Sequence, residues 1–110
     1  MSDEDAPFES AGPTIPPDAI SADIPIINKR GLHARASAKF VQMVERFNAE
    51  VWVTRGNETV GGTSIMGLMM LSAGPGTTIT VSAVGPEAEA AILAIGELVA
   101  GKFNEEAPEP

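Results

Sequence analysis

One segment of this chain, residues 78–83, alternates strictly between polar and apolar side chains, and this pattern constrains the fold more than any other. Ile79, Val81 and Ala83 fall on one face of a strand, and the threonines and serine beside them fall on the other. Such a strand has one face in a core and one toward water, which is typical of an antiparallel sheet covered on one side only. The sequence therefore predicts a sheet with helices packed against a single face.

The segments before this strand supply a strand, a helix and a hairpin. The apolar run at residues 23–28 predicts a first strand, and its Pro25 indicates a position at the sheet edge. Residues 34–47 carry apolar side chains at helical spacing, which predicts a helix with one core face. Residues 50–54 and 58–60 flank a Gly-Asn pair and predict a hairpin.

Two further helices complete the order of elements. A short apolar helix is predicted to begin near Ser64, and Pro86 opens a last helix that ends before Gly101. The resulting order is βαββαβα. We therefore expect an α+β open-faced sandwich, in which three helices lie on one face of a four-stranded antiparallel sheet.

The acidic residues are concentrated at the two ends of the chain. The net charge is −8, yet residues 23–103 carry seven acidic and seven basic residues, whereas residues 1–22 and 104–110 carry no basic residue. The first segment is also rich in proline. We expect a single domain at 23–103 between a disordered N-terminal extension, 1–22, and a disordered C-terminal tail, 104–110. A formally neutral domain has no basic stripe for nucleic acid.

Several classes of protein are disfavoured by composition. The chain has no cysteine and one histidine, so it offers neither thiolate ligands nor a histidine cluster for a metal. Its apolar stretches are too short to cross a bilayer, and its N-terminus lacks the basic and apolar regions of a signal peptide. We expect a cytoplasmic protein that uses no metal and does not associate with a membrane.

The single histidine, His33, lies at the junction between the first strand and the first helix, in the run Gly-Leu-His-Ala-Arg at 31–35. The first backbone N–H groups of a helix, here those of Ala34 and Arg35, have no acceptor within the helix, and the helix dipole also favours an anion there. The Arg35 guanidinium suits phosphate oxygens. This combination points to phosphoryl chemistry. The alternative is that His33 is a helix cap and Arg35 a solvated surface charge.

Residues 31–35 resemble the active-site signature of HPr, the histidine phosphocarrier family of the phosphoenolpyruvate-dependent phosphotransferase system. Residues 63–71 resemble the regulatory serine and short helix of the same family, at the expected separation. The resemblance covers 23–103 and implies a relay protein, which is not itself an enzyme. It implies that His33 accepts a phosphoryl group from enzyme I and passes it to an enzyme IIA component, and that Arg35 and the amides at the helix start bind the phosphoryl oxygens. It implies no cofactor, and we expect a monomer.

The second block provides a candidate regulatory site and a candidate docking surface. Ser64 is predicted to cap the short helix, and the resemblance implies that an HPr kinase/phosphorylase phosphorylates it. Thr63 is the alternative for either role. Leu68 and Leu71 should face the sheet, which leaves the helix flanks exposed. An exposed apolar patch marks a protein interface, and methionine suits a surface with several partners. The predicted docking residues are Ile65, Met66, Met69 and Met70, with core packing as the alternative for Met66 and Met70.

One departure from the family pattern concerns Ala36, where many HPr proteins have proline. Ala36, Gly67 and the acidic extension resemble the nitrogen-related HPr of proteobacteria more than the sugar-transport form. Two other functions are alternatives to the phosphocarrier. One is a purely regulatory binding protein switched by phosphorylation of Ser64. The other is a small hydrolase with His33 as base, which the sequence disfavours because no nearby serine, cysteine or carboxylate pairs convincingly with His33.

Overall fold

The computed structural model describes residues 13–105 and contains one four-stranded antiparallel sheet. The elements are β1 (Ile20–Pro25), α1 (Ala34–Val44), β2 (Glu50–Arg55), β3 (Glu58–Gly61), α2 (Ile65–Met70), β4 (Thr78–Val84) and α3 (Ala88–Ala100), followed by a short 3-10 helix at Lys102–Asn104. The strand order across the sheet is β1-β4-β2-β3, and every neighbouring pair is antiparallel. The predicted α+β fold with order βαββαβα is confirmed.

The core lies between the sheet and the helices, as the alternation along β4 predicted. Ile79, Val81 and Ala83 are completely buried, and α3 packs on both β1 and β4. Phe40 of α1 and Phe103 of the 3-10 helix are also completely buried. Each large apolar side chain removed from water contributes about 1.5–3 kcal/mol. The core therefore joins the sheet, α1 and the end of the chain into one unit.

The opposite face of the sheet is polar and internally hydrogen-bonded. Cross-strand pairs of hydroxyl groups join Ser21 to Ser82 at 2.8 Å and Thr54 to Thr59 at 2.9 Å. The single tryptophan, Trp52, lies between two small cross-strand neighbours, Ser82 and Gly61, and is only 6% exposed. Trp52 is therefore buried, although none of the helices within residues 13–105 covers this face of the sheet.

Strand β1 begins earlier than its composition indicates. The sequence predicts it at 23–28, but it runs from Ile20 to Pro25 and pairs residue by residue with β4, from Ile20 opposite Ala83 to Pro25 opposite Thr78. The seven-residue β4 offers partners to Ser21 and Ala22, which have little strand propensity of their own. The predicted boundary at residue 23 is therefore three residues late, whereas the predicted edge position of β1 is confirmed.

The other predicted boundaries differ at α1, at the start of α3 and at the C-terminus. Helix α3 begins at Ala88 and not at Pro86, because the Ala88 N–H bonds to the Gly85 carbonyl and leaves Pro86 in a turn before the helix. Helix α1 ends at Val44 instead of residue 47, because the N–H groups of Arg46 and Phe47 bond to carbonyls three residues back in a tighter turn. At the C-terminus, Asn104 and Glu105 belong to the structured part of the chain, although the sequence places them in a tail. Residues 1–12 and 106–110 lie outside the described residues, so the predicted disorder there stays a prediction.

Candidate functional site

The loop between β1 and α1 is fixed by contacts that require glycine at position 31. Gly31 has a φ of +63°, and a Cβ atom there would lie 2.3 Å from the carbonyl oxygen of Ala73. The neighbouring Leu32 N–H donates to that same oxygen at 3.0 Å. The buried Asn28 donates from Nδ2 to the Gly31 carbonyl at 2.9 Å. These contacts hold the entry to α1, and therefore His33, in one position.

His33 is the N-cap residue of α1, and both of its ring nitrogens have partners. Nδ1 accepts a hydrogen bond from the backbone N–H of Arg35 at 3.3 Å, and Nε2 lies 2.5 Å from Oε2 of Glu105. A nitrogen that accepts a hydrogen bond carries no proton, so the ring proton belongs on Nε2. The side chain is 20% exposed. The Nδ1 lone pair therefore points to the helix N-terminus at the protein surface.

The predicted helix cap and the predicted anion site are the same place. Of the first N–H groups of α1, that of Arg35 bonds to the His33 ring, while those of Ala34 and Ala36 have no acceptor among residues 13–105. The Arg35 side chain is exposed, and its guanidinium makes no hydrogen bond or ion pair within that range. Backbone donors and a cation are thus available to an anion at Nδ1.

Glu105 belongs to this site, although sequence reasoning assigned it to a tail. Its carboxylate contacts Nε2 of His33 through Oε2 and accepts from Asn28 Nδ2 through Oε1, at 3.2 Å. The expectation that no carboxylate pairs with His33 is therefore wrong. No sequence signal links the two residues, because 72 positions separate them. The structure makes the link through Phe103, whose buried side chain anchors the chain two residues before Glu105.

A shallow depression of about 240 Å³ adjoins His33. Its lining comprises Arg30, Leu32, His33, Ser72, Ala73 and Gly74. The last three residues closely follow α2, and α2 packs against α1. The depression beside His33 is therefore lined partly by the segment that follows α2.

Ser64 caps α2, as the sequence predicts. Its Oγ accepts a hydrogen bond from the Gly67 N–H at 3.0 Å, and the residue is exposed. A Cβ atom on Gly67 would lie 2.8 Å from that Oγ and 2.9 Å from Cβ of Val60. Glycine at 67 therefore permits the close approach of Ser64 to α2 and of α2 to β3.

The flank of α2 is exposed at all four predicted docking positions. Met66 and Met70 are 70% and 69% exposed, and Ile65 and Met69 are 39% and 40% exposed. Core packing is therefore wrong for Met66 and Met70. Leu68 and Leu71 are buried, as predicted. These four exposed side chains form an apolar patch, and their role in docking stays a prediction.

Two properties of the described chain bear on other kinds of site. Between residues 13 and 105, no group of three or more histidine, cysteine, aspartate or glutamate side chains is arranged to hold a metal ion. None of the helices in the same range is long and apolar enough to span a membrane.

Comparison with known proteins identifies the family to which this site belongs. The family model PTS-HPr, described as the phosphorylation site of the HPr component of the phosphotransferase system, matches residues 20–101. The phosphocarrier protein HPr of Neisseria meningitidis serogroup A is 49% identical over 86 residues, which cover 78% of this chain and 97% of the relative. The chain belongs to the HPr family. It is a phosphocarrier of the phosphotransferase system.

Other relatives and solved structures agree with this assignment. The phosphocarrier protein NPr of Shewanella violacea is 41% identical over 78% of this chain and 94% of its own. The crystal structure of HPr from Thermoanaerobacter tengcongensis superposes with a TM-score of 0.75 at 42% identity, covering 80% of this chain and 99% of that one. Relatives of both names, HPr and NPr, match over similar lengths, so the nitrogen-related branch stays a prediction.

Proposed function

We propose that His33 is the phosphoryl-accepting residue of this HPr-family protein. In this proposal, Nδ1 of His33 takes the phosphoryl group from phosphorylated enzyme I, which obtained it from phosphoenolpyruvate, and passes it to an enzyme IIA component. The observation that carries the proposal is the position of His33 at the N-cap of α1, where Nδ1 accepts a hydrogen bond from the Arg35 N–H. An imidazole nitrogen with its lone pair beside an anion-binding helix terminus suits attack on phosphorus.

The transfer step follows from this geometry. Nδ1 donates its lone pair to phosphorus, and the bond from phosphorus to the donor breaks with its electrons remaining on the donor. The Arg35 N–H, which now points at Nδ1, then faces a phosphoryl oxygen, and the free Ala34 N–H lies in the same first turn. The exposed Arg35 guanidinium adds a positive charge against the developing negative charge.

The same arrangement supports a relay that needs no cofactor of its own. Transfer to enzyme IIA is the reverse of transfer from enzyme I, with a nitrogen base on each side of phosphorus. Neither step requires a change in oxidation state or a proton from the solvent. The protein therefore serves as a shuttled substrate of enzyme I and is not itself an enzyme.

Regulation at Ser64 is the second part of the proposal. The Ser64 hydroxyl is exposed at the start of α2, where an HPr kinase/phosphorylase has access to it, and the apolar flank beside it comprises Ile65, Met66, Met69 and Met70. A phosphate adds about −1.5 to −2 charges next to this flank. Docking of enzyme I on that surface would then be weakened by repulsion and desolvation.

Labelling with enzyme I and radioactive phosphoenolpyruvate tests the proposal. We expect one phosphoryl group per chain, in a bond that is labile to acid and stable to base, and none in His33→Ala. Full labelling of His33→Ala would refute the assignment of His33. If the unmodified protein took no label, while phosphorylation of Ser64 still changed partner binding, the purely regulatory function would replace this one.

A further inference from the structure

The carboxylate of Glu105 is held at His33 by two separate contacts. Oε2 lies 2.5 Å from Nε2 of His33, and Oε1 accepts from Nδ2 of Asn28 at 3.2 Å. Asn28 is completely buried and also donates to the Gly31 carbonyl, so its amide cannot rotate without losing both bonds. The Glu105 side chain is only 11% exposed. The carboxylate therefore has a defined orientation behind the ring.

The backbone segment directly before Glu105 adopts a conformation of high energy. The three residues of the short 3-10 helix, Lys102, Phe103 and Asn104, have φ values of 58°, 56° and 58°, so this turn is left-handed, and none of them is glycine. Left-handed backbone costs a non-glycine residue roughly 1–2 kcal/mol. Such strain persists only where the surroundings hold it in place, and it is concentrated at functional sites. Three consecutive left-handed residues directly before Glu105 indicate that surrounding contacts hold the backbone of this segment, and therefore Glu105, in place.

Two anchors hold this left-handed turn. The Phe103 side chain is completely buried in the core, and Nζ of Lys39 donates to the Phe103 carbonyl at 2.5 Å. The N–H groups of Asn104 and Glu105 bond back to the carbonyls of Gly101 and Lys102, each at 3.0 Å. Helix α1 thus contributes the lysine that fixes the turn, and His33 caps the start of the same helix. Helix α1 therefore positions both the His33 ring and the Glu105 carboxylate.

We propose that Glu105 is a positioning residue for phosphoryl transfer at His33. The proposal rests on the function assigned to His33 above. The carboxylate accepts the Nε2 proton in a hydrogen bond, which keeps the proton on Nε2 and the lone pair on Nδ1. It also fixes the plane of the ring, in the way that a carboxylate orients a catalytic or metal-bound histidine.

The carboxylate also affects the phosphorylated state. When Nδ1 bonds to phosphorus and the donor bond breaks, the proton stays on Nε2 and the ring acquires positive charge. Glu105 opposes that charge at 2.5 Å, so it favours acceptance of the phosphoryl group and slows its departure. Glu105 therefore sets the balance between charging and discharging His33, and no proton enters or leaves in either direction.

Three variants of the full-length chain separate this role from others. Glu105→Ala removes the carboxylate, whereas Glu105→Gln keeps an oxygen that can accept from Nε2 but removes the charge. Glu97→Gln is the matched control, because Glu97 is an exposed residue of α3 whose carboxylate has no partner among residues 13–105. The first measurement is the initial rate of phosphorylation by enzyme I and phosphoenolpyruvate at increasing protein concentration. The second is nitrogen-15 NMR of the His33 ring without any partner.

We expect Glu105→Ala to lower kcat for phosphorylation about tenfold with KM unchanged, as happens when the carboxylate behind a functional histidine is lost. Glu105→Gln should fall between Glu105→Ala and the unmodified protein, and Glu97→Gln should match the unmodified protein. The NMR spectrum of the unmodified protein should show one ring nitrogen with a proton and one without. In Glu105→Ala the two resonances should move toward each other as the tautomers mix.

An unchanged kcat in Glu105→Ala would overturn the proposal, as would a raised KM alone, which would make Glu105 a docking contact. An unchanged ring spectrum would overturn it as well. Failure of the function assigned to His33 can be told apart from failure of this proposal. In the first case the unmodified protein takes no label from enzyme I, and the NMR comparison still reports on the contact between Glu105 and His33.

Discussion

Asn28 joins the loop before His33 to the end of the chain, and Asn28→Asp should break that link while changing a single group of atoms. The Asn28 Nδ2 donates to the Gly31 carbonyl at 2.9 Å and to the Glu105 carboxylate at 3.2 Å. Aspartate has the same shape but offers an oxygen to both acceptors. Both hydrogen bonds are then lost, and a second carboxylate is placed in a completely buried position beside the first.

The expected cost follows from these two contacts. A hydrogen bond between neutral groups is worth about 0.5–1.5 kcal/mol, and one to a charged group about 1.5–3 kcal/mol. The loss of both hydrogen bonds alone amounts to roughly 2–4.5 kcal/mol. Repulsion between the two carboxylates adds to this cost until Glu105 moves away from the substituted side chain. We therefore expect the free energy of unfolding to fall by about 3 kcal/mol, a large part of the about 5–15 kcal/mol available to a domain.

Urea unfolding followed by tryptophan fluorescence measures this change, because the only tryptophan, Trp52, is buried and becomes exposed on unfolding. With a slope of about 1.5 kcal/mol per M, the midpoint should fall by about 2 M. Asn57→Asp is the control, since Asn57 is exposed in the hairpin turn and the same substitution there should stay within about 0.5 kcal/mol.

A second substitution tests whether the cost arises at Glu105. Adding Glu105→Gln to Asn28→Asp removes the like charge and supplies an amide donor, so the double variant should be more stable than Asn28→Asp alone. Coupling of this kind is typically about 0.5–3 kcal/mol for residues in contact. Equal midpoints for Asn28→Asp and Asn57→Asp, or no recovery in the double variant, would refute the reasoning that Asn28 holds Glu105 at His33.

Three further predictions concern the loop, the cation and the second site. Arg35→Glu should slow phosphoryl transfer at least about tenfold, which corresponds to about 1.4 kcal/mol of barrier. The melting temperature should be almost unchanged because Arg35 is exposed. A normal rate of transfer in a stopped-flow assay would show that Arg35 is only a surface charge. Ser64→Asp should raise the KM of enzyme I for this protein, whereas Ser64→Ala should cost only the cap, roughly 1 kcal/mol in urea unfolding. Equal KM values for the unmodified protein, Ser64→Asp and genuinely phosphorylated protein would leave Ser64 as a cap alone. Gly31→Ala should lower the midpoint of urea unfolding by more than Gly74→Ala, because only at position 31 would the added Cβ meet the Ala73 carbonyl; equal midpoints would show that the loop yields freely.

The fold was predictable because its main elements carry strong local signals. The alternation along β4 identified which face of the sheet is covered, and Gly56-Asn57 marked the hairpin between β2 and β3. Where the local signal is weak, the prediction was wrong. Strand β1 starts at Ile20 because β4 extends far enough to pair with Ser21 and Ala22. The residues of β1 alone do not indicate how long its partner strand is.

The site was predictable for the same reason, and only in part. His33, Arg35 and Ser64 lie beside helix N-termini, which sequence marks through caps and spacing, and the structure places each of them at such a terminus or in the first turn that follows it. Glu105 is different, because its position depends on a left-handed turn of three non-glycine residues and on the burial of Phe103 in a core built by distant segments. Only the assembled fold specifies these conditions. A residue such as Glu105, which reaches a candidate site from the far end of the chain, can therefore be found only in the tertiary structure, whereas His33 was proposed from a five-residue motif.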